Sequence, residues 1–413
     1  MSQDSLNSGV LAADASPVGL TRILVDAVDR GASDVHLKVG QPPIIRFDGA
    51  LQPLEGWAPL DSVRLEEILQ EVAAAAPAKL AIFNGTGELD LAYQRTGLPR
   101  FRVNAFRQRG EISIALRVIP SEVPSFSALR LPLGVTRLAE EQRGLVLVTG
   151  ATGAGKTTTL AAIIGHINRS RRQHIVTIED PIEILHADAG CIINQREVGL
   201  DTGSFHEALR RVLRQDPDII LIGELRDAET AETALQAAES GHLVLSTMHT
   251  VDAAETVGRL VEFFPAIKQP QVRSILAGVL RGVVSQRLLP RAGGGRVAAV
   301  EVMITNSRIA ELIRENKPEF ISEAIADGTF FQMQTLSNAL IALVVGGDVD
   351  RETAANAAPN RHDFLISVDH ALKEQAVVDT ANAAGDVAEH EEPAPEAGSA
   401  LGPPAEVNSL RLA

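Results

Sequence analysis

Cysteine and aromatic residues are almost absent from this chain. Among 413 residues there is one cysteine, Cys191, one tryptophan and one tyrosine, and aromatics amount to 3%. A single cysteine excludes an intramolecular disulfide and a multi-cysteine zinc site, and it fits a reducing compartment. Cys191 stands in Gly190-Cys-Ile-Ile193 and reads as a small buried hydrophobe. With so few aromatics, the core must be built from Ala, Val, Ile and Leu. No run of 18 apolar residues occurs, so no membrane span is expected. The longest run, Leu340-Ile-Ala-Leu-Val-Val345, suits a core helix segment. The N-terminus lacks a basic region followed by an apolar stretch, so no secretory signal is expected. Positive charge is also short: 38 Lys and Arg face 53 Asp and Glu, a net charge of −15. That balance argues against nucleic-acid binding through a bulk electrostatic field, and no nucleic-acid partner is expected.

What is present is dominated by residues 150 to 157, Gly-Ala-Thr-Gly-Ala-Gly-Lys-Thr, directly after the apolar run Gly144-Leu-Val-Leu-Val-Thr149. This is the phosphate-binding loop pattern in its strand-then-loop context. Gly150, Gly153 and Gly155 allow a tight turn and close backbone approach to phosphate. The loop amides and the next helix N-terminus then point at the anion. The expected nucleotide contacts are Gly150, Ala151, Thr152, Gly153, Ala154, Gly155, Lys156, Thr157 and Thr158. Lys156 would reach the β- and γ-phosphates of ATP, and the Thr157 hydroxyl would ligate Mg²⁺.

Residues 1–17 are small and polar and are expected to be disordered. From 18 to 119, a helical pattern (Leu20, Ile23, Leu24, Ala27, Val28) precedes alternating segments at Asp34–Val39, Ile44–Phe47, Leu89–Tyr93, Arg100–Phe106 and Ile112–Val118. This predicts a small α/β domain with a hairpin at Asp48-Gly49. Residues 120–128, with Pro120 and Pro124, read as a linker. Over 129–290, apolar runs at Leu145–Thr149, Ile175–Ile178, Ile219–Ile222 and Leu243–Thr247 alternate with helices. Such unalternating runs suit a parallel sheet covered on both faces. A mostly helical part is expected over 291–378. Residues 379–413 have almost no large apolar side chains and are expected to form a disordered tail.

Three further elements carry chemistry. In Thr177-Ile-Glu-Asp-Pro-Ile-Glu183 the acids Glu179, Asp180 and Glu183 crowd a strand end, where carboxylates line a nucleotide crevice. In Asp216-Pro-Asp-Ile-Ile-Leu-Ile-Gly-Glu224 an acid again follows a buried strand. Finally, Ser240–Thr250 places His242 and His249 on either side of a strand, about 23 Å apart if extended, which argues against a shared metal. Two readings stand for the pair: the loop after the strand brings His249 to the γ-phosphate as a sensor, or both histidines simply hydrogen-bond at the strand ends.

In this order the elements closely resemble the secretion ATPase superfamily of type II secretion and type IV pili, with its Walker B, Asp and His boxes. Within it the chain is most similar to the PilT-type pilus retraction ATPases. Gly31-Ala-Ser-Asp-Val-His-Leu37 and Pro42-Pro-Ile-Ile-Arg-Phe-Asp-Gly49 resemble that family's opening, and Ile309-Ala-Glu-Leu-Ile-Arg-Glu-Asn316 resembles its C-terminal signature. Ala310-Glu311 depart from that signature, which leaves room for an accessory, PilU-like paralogue. Extension and secretion ATPases usually carry a further N-terminal domain and a tetracysteine element. The resemblance implies a PAS-like N-terminal α/β domain and a RecA-like ATPase domain with C-terminal helices, assembled as a hexameric ring. It implies ATP and Mg²⁺, a place at the cytoplasmic face of the inner membrane, and a polytopic platform protein as partner, with a paralogous pilus ATPase beside it. It also implies roles: Glu183 polarises the attacking water, Glu224 is the Mg²⁺-associated acid, His242 and His249 form the His box, and Arg102 and Arg117 close onto the γ-phosphate.

Overall fold

The computed structural model describes residues 19–120 and 122–389, with side chains to residue 377. The expected disordered stretch 1–17 and residues 390–413 of the expected tail lie outside the described residues. The N-terminal unit runs α1 (Leu20–Asp29), β1 (Asp34–Lys38), β2 (Ile44–Phe47), β3 (Ala50–Pro53), α2 (Ser62–Ala73), α3 (Pro77–Thr86), β4 (Glu88–Tyr93), β5 (Arg100–Gln108) and β6 (Glu111–Ile119). Its strands form one antiparallel sheet in the order β3-β2-β1-β6-β5-β4. Alternation along β5 buries Phe101, Val103 and Ala105 on one face, against Leu20, Ile23, Leu24, Leu65, Ile68 and Leu69 of α1 and α2. The opposite face carries Arg100, Arg102 and Arg117. Asp48 and Gly49, both at positive φ, make the expected β2–β3 turn. Sequence periodicity missed α2 and α3; Asp61 starts α2 by accepting the Arg64 amide at 2.8 Å.

The second unit begins with α4 (Leu133–Ala139), β7 (Gly144–Thr149), α5 (Lys156–Ser170), β8 (His174–Glu179), β9 (Ile192–Glu197), α6 (Phe205–Val212) and β10 (Ile219–Ile222). It continues with α7 (Ala228–Glu239), β11 (Leu243–Met248), α8 (Ala253–Glu262), α9 (Gln269–Val279), β12 (Leu280–Pro290) and β13 (Arg296–Ile304). Its sheet has the order β13-β12-β7-β11-β10-β8-β9. Every pairing in it is parallel except β12–β13. All residues of β7, β10 and β11 are buried, as a sheet covered on both faces requires. A boundary at 290 would cut the β12–β13 hairpin, whose turn uses Gly293, Gly294 and Gly295 at positive φ. Polar residues within β12, Arg281, Ser285, Gln286 and Arg287, break its apolar run and hide it from a hydrophobicity reading.

The chain ends in helices α10 (Ser307–Arg314), α11 (Ile321–Ala326), α12 (Leu336–Val345), α13 (Arg351–Ala357) and α14 (Arg361–Glu389). Leu336 and Leu340 of α12 pack with Phe364 and Val368 of α14 against Leu289, Val297 and Ala299. On α10, Ile309 and Ile313 are buried, while Arg308 pairs outward with Glu323 and Asp327. The expected tail boundary at 379 falls inside α14. The Ala-rich segment after 379 has high helix propensity and prolongs a helix already nucleated upstream. Cys191 is buried. Among the described residues no helix is long and apolar enough to cross a membrane.

Candidate active site

The strand register brings the chemistry to one edge. Thr149 ends β7 beside Met248 of β11, and Ile222 of β10 lies between Ser246 of β11 and Ile178 of β8. The carboxyl ends of β7, β11, β10 and β8 therefore open onto the same crevice. They present the phosphate loop, His249, Glu224 and the Glu179–Glu183 turn respectively.

In the loop the three glycines have different duties. Gly150 has φ 143°, and a Cβ there would lie 2.5 Å from the Gln286 carbonyl oxygen. Gly155 has φ 88°, and its Cβ would lie 2.9 Å from Gln286 Nε2. Both are glycine because the loop is pressed onto β12. Gly153 has φ 79° and nothing within 4 Å of a Cβ, so it keeps the open side of the loop clear. Gln286, 2% exposed, is the loop's support, a role that sequence reasoning missed. Its Nε2 donates to the Ala154 carbonyl, and its Oε1 accepts from Thr159 Oγ1 at 2.9 Å. Beside it, Thr149 Oγ1 donates to Ser285 Oγ at 2.9 Å.

Lys156 Nζ donates to the carbonyls of Gly150, at 2.7 Å, and Ala151, at 3.2 Å. It also lies 3.4 Å from His249 Nδ1. His249 Nε2 in turn lies 3.1 Å from Glu224 Oε1, and Glu224 Oε2 pairs with Arg226 at 2.8 Å. Burial lowers the Lys156 pKa, and the charges of Glu224 and Glu183 act against that. Lys156 is thus a part-buried cation with carboxylates from two strand ends nearby. Arg226 is held above its ordinary pKa by its hydrogen bond and charge attraction to Glu224, with Asp180 adding to it.

The three acids of the β8 turn separate. Glu179 points inward: burial pushes its carboxyl up, while Thr177 Oγ1 at 2.6 Å and Gln195 Nε2 at 3.2 Å donate to it. Glu183 is exposed on the crevice side, near enough for its charge to act on Lys156. His242 does not join this group. It precedes β11 at the opposite edge of the sheet, where its Nδ1 lies 3.0 Å from both the Ala237 carbonyl and Ser240 Oγ. The seven-residue spacing spans the whole strand, so only His249 reaches the crevice.

Arg102 and Arg117 are cross-strand partners on the exposed face of the N-terminal sheet. Arg117 Nε donates to Asp34 Oδ1 at 2.7 Å. Burial would raise the Asp34 carboxyl, but the hydrogen bonds from Arg117 and Ser33 outweigh it, and the pKa lies below its ordinary value. Among the described residues, no hydrogen bond or ion pair joins Arg102 or Arg117 to the phosphate loop, Glu183 or Glu224.

The donor set fits a nucleotide with a hard cation. Open loop amides, an ammonium and a helix N-terminus suit phosphate. Among the described residues no cluster of three His, Cys, Asp or Glu could hold a metal by itself. A cation here would rest on a hydroxyl, one carboxylate and substrate phosphates, which is how Mg²⁺ is usually held.

A phosphate loop at a sheet's carboxyl edge, with an acid and a histidine from neighbouring strands, defines the chain as a nucleotide-binding ATPase of the phosphate-loop class. Residues 14–346 match the family model described as "Type II/IV secretion system protein", and the chain belongs to that family. It is 44% identical over 345 residues to the type IV pilus retraction ATPase PilT of Pseudomonas aeruginosa, covering 84% of this chain and 99% of that one. It is 39% identical over 342 residues to the type IV pilus ATPase PilU of the same organism, covering 83% and 89%. The crystal structure of the pilus retraction motor PilT with bound ADP superposes with a TM-score of 0.77 at 44% identity, covering 84% of this chain and 98% of that chain.

Proposed function

We propose that this chain is an ATP-hydrolysing motor that powers retraction of type IV pili, and so twitching motility. The observation that carries this reading is the convergence of Lys156, His249 and Glu224 at the carboxyl edge of one parallel sheet. The likeness to PilT over nearly its whole length supports retraction in particular. ATP is the substrate. The loop amides of 150–158 and the α5 N-terminus hold its phosphates, and Lys156 neutralises the β- and γ-oxygens. Thr157 and, through water, Glu224 would hold Mg²⁺, which supplies charge neutralisation on the phosphates when bound. Glu183 orients the attacking water and accepts its proton. His249 reports the state of the γ-phosphate to the Glu224 strand. Arg102 and Arg117 close onto the γ-phosphate, because a guanidinium fork pairs with phosphate oxygens while staying charged.

In this reading the protein works as a homohexamer at the cytoplasmic face of the inner membrane, pulling on a polytopic platform protein. A PilU-like accessory role is the second reading, favoured by the 39% identity to PilU and by Ala310-Glu311 on α10. The test is ATP hydrolysis by the purified chain beside Lys156→Ala and Glu183→Gln, with pilus retraction scored in a strain lacking the gene. Lys156→Ala should abolish turnover, and Glu183→Gln should bind nucleotide without hydrolysing it. Cells lacking the gene should be over-piliated and immotile. Bald cells would overturn retraction in favour of extension, and a Lys156→Ala rate within about twofold of wild type would overturn the site.

A further inference from the structure

We propose that Arg100 and Glu197 form a strut through which the N-terminal sheet sets the position of Glu183; this rests on the reading of Glu183 as the water-orienting group. Arg100 opens β5 in the N-terminal unit, and Glu197 ends β9 in the second unit. Arg100 Nη2 lies 2.6 Å from Glu197 Oε2, with side chains 11% and 1% exposed. The same Oε2 accepts the backbone amide of Ile182 at 3.3 Å. Ile182 is buried and immediately precedes Glu183. One carboxylate oxygen thus receives a guanidinium from one unit and the peptide that presents Glu183 from the other.

The Glu197 end of the strut is rigid. Its own amide donates to Asp201 Oδ2 at 2.8 Å, and its carbonyl accepts the amide of Asp201 at 2.8 Å. The Val198 amide donates to the Glu179 carbonyl at 2.9 Å, fixing β9 to the start of the acidic turn. The Arg100 end moves with the N-terminal sheet. Arg100 and Arg102 are two residues apart on β5 and share a face. A tilt of that strand that carries Arg102 toward substrate also shifts Arg100. Arg100 Nε is buried without a hydrogen-bond partner, so the guanidinium fork is only half used. A contact of this kind is able to shift between a one-point and a two-point pairing as the units move. A buried ion pair is weak evidence of stabilisation, because desolvation offsets its Coulomb gain. Positioning of the Ile182 peptide accounts for the burial of both charges.

Arg100 and Glu197 are positioning residues, so the test separates kcat from KM. Steady-state hydrolysis is measured on the full-length assembly for Arg100→Gln, Glu197→Gln, the double variant and Arg100→Lys. Each single Gln variant should lose about tenfold or more in kcat while KM stays within about twofold. The double variant should be no slower than the worse single, since both remove one strut. Arg100→Lys should recover only part of kcat, because the ammonium keeps the one-point contact but cannot form the two-point pairing. Singles with unchanged kcat, or loss in KM alone, would overturn the proposal, as would multiplying effects in the double variant. If Arg100→Gln does not fold, the kcat of Arg100→Lys and Glu197→Gln decides. The Glu183 reading fails separately: it falls if Glu183→Gln still hydrolyses ATP, whereas a dead Glu183→Gln beside a fully active Glu197→Gln sinks the strut alone.

Discussion

His249 bridges the phosphate loop and the acidic strand: its Nδ1 lies 3.4 Å from Lys156 Nζ and its Nε2 lies 3.1 Å from Glu224 Oε1. One edge of the ring thus faces the phosphate-loop lysine and the other faces the carboxylate. In the proposed mechanism a ring held in this way registers movement of Lys156 toward a phosphate and passes it to Glu224.

His249→Ala should therefore lower ATP turnover by roughly tenfold or more. His242→Ala should leave turnover within about twofold of wild type, because His242 sits at the far edge of the sheet. Initial-rate assays on the two purified variants decide between them. Equal losses would show that the pair acts together, against the separation seen along β11.

Much of this site was legible before any fold was known. The phosphate loop carries its signal locally: a buried strand, spaced glycines, then Lys and Thr. The acidic strand ends at Glu179–Glu183 and Glu224 stand out in the sequence because each follows an apolar run, while the choice of Glu183 among its neighbours rests on the family resemblance. Gln286 was not, because its partner Ala154 is far off in sequence and its own strand is broken by polar residues. Arg100 and Glu197 are 97 residues apart and have no local signature at all. Glu179 and Glu183 look alike in sequence, and only the pleat of β8 and the turn after it send one inward and the other to the crevice. The extension of α14 past 379 is hidden in the sequence because its Ala-rich segment carries helix propensity without hydrophobic periodicity.

Replacing Gln286 should damage the loop without touching any group that meets substrate. Gln286→Leu keeps the approximate volume but removes both the donor to Ala154 and the acceptor for Thr159. Leaving those buried groups unpaired costs about 1–3 kcal/mol each. We expect a lower unfolding midpoint in denaturant and weaker nucleotide binding by calorimetry. A variant with wild-type affinity would mean that the loop holds its shape through Gly150 and Gly155 alone.

His186 gives a pH dependence with a definite sign. Burial pushes its pKa down from the ordinary value of 6.5 to about 4. Between these values the unfolded chain binds a proton that the folded chain refuses. Stability is therefore lost as pH falls through that window and is regained above it. His186→Gln removes this difference. Melting curves at about pH 7.5 and about pH 5 should show a smaller acid-induced drop for the variant than for wild type. An identical drop would show that the imidazole ionises freely in the folded state.

The last expectation concerns the arginine row on the N-terminal sheet. Across neighbouring strands, Arg46, Asp34, Arg117 and Arg102 stand side by side, three guanidinium groups against one carboxylate. Arg102 and Arg117 are directly opposite, and like charges so placed repel. Asp34 relieves only part of this, through its bond to Arg117. In the proposed mechanism this excess of positive charge is what receives the γ-phosphate. Each well-formed arginine–phosphate contact contributes about 1.5–3 kcal/mol, enough to favour a closed over an open arrangement by roughly tenfold or more. Arg102→Ala with Arg117→Ala should leave Lys156-dependent nucleotide binding largely intact while depressing hydrolysis. Relief of the cross-strand repulsion is offset by the loss of the Arg117 bond to the part-buried Asp34, so the double variant should unfold somewhat earlier than wild type. In cells the same variant should give over-piliated surfaces that do not retract. An unchanged hydrolysis rate together with normal retraction would show that closure does not depend on these two residues, and another group would have to meet the phosphate.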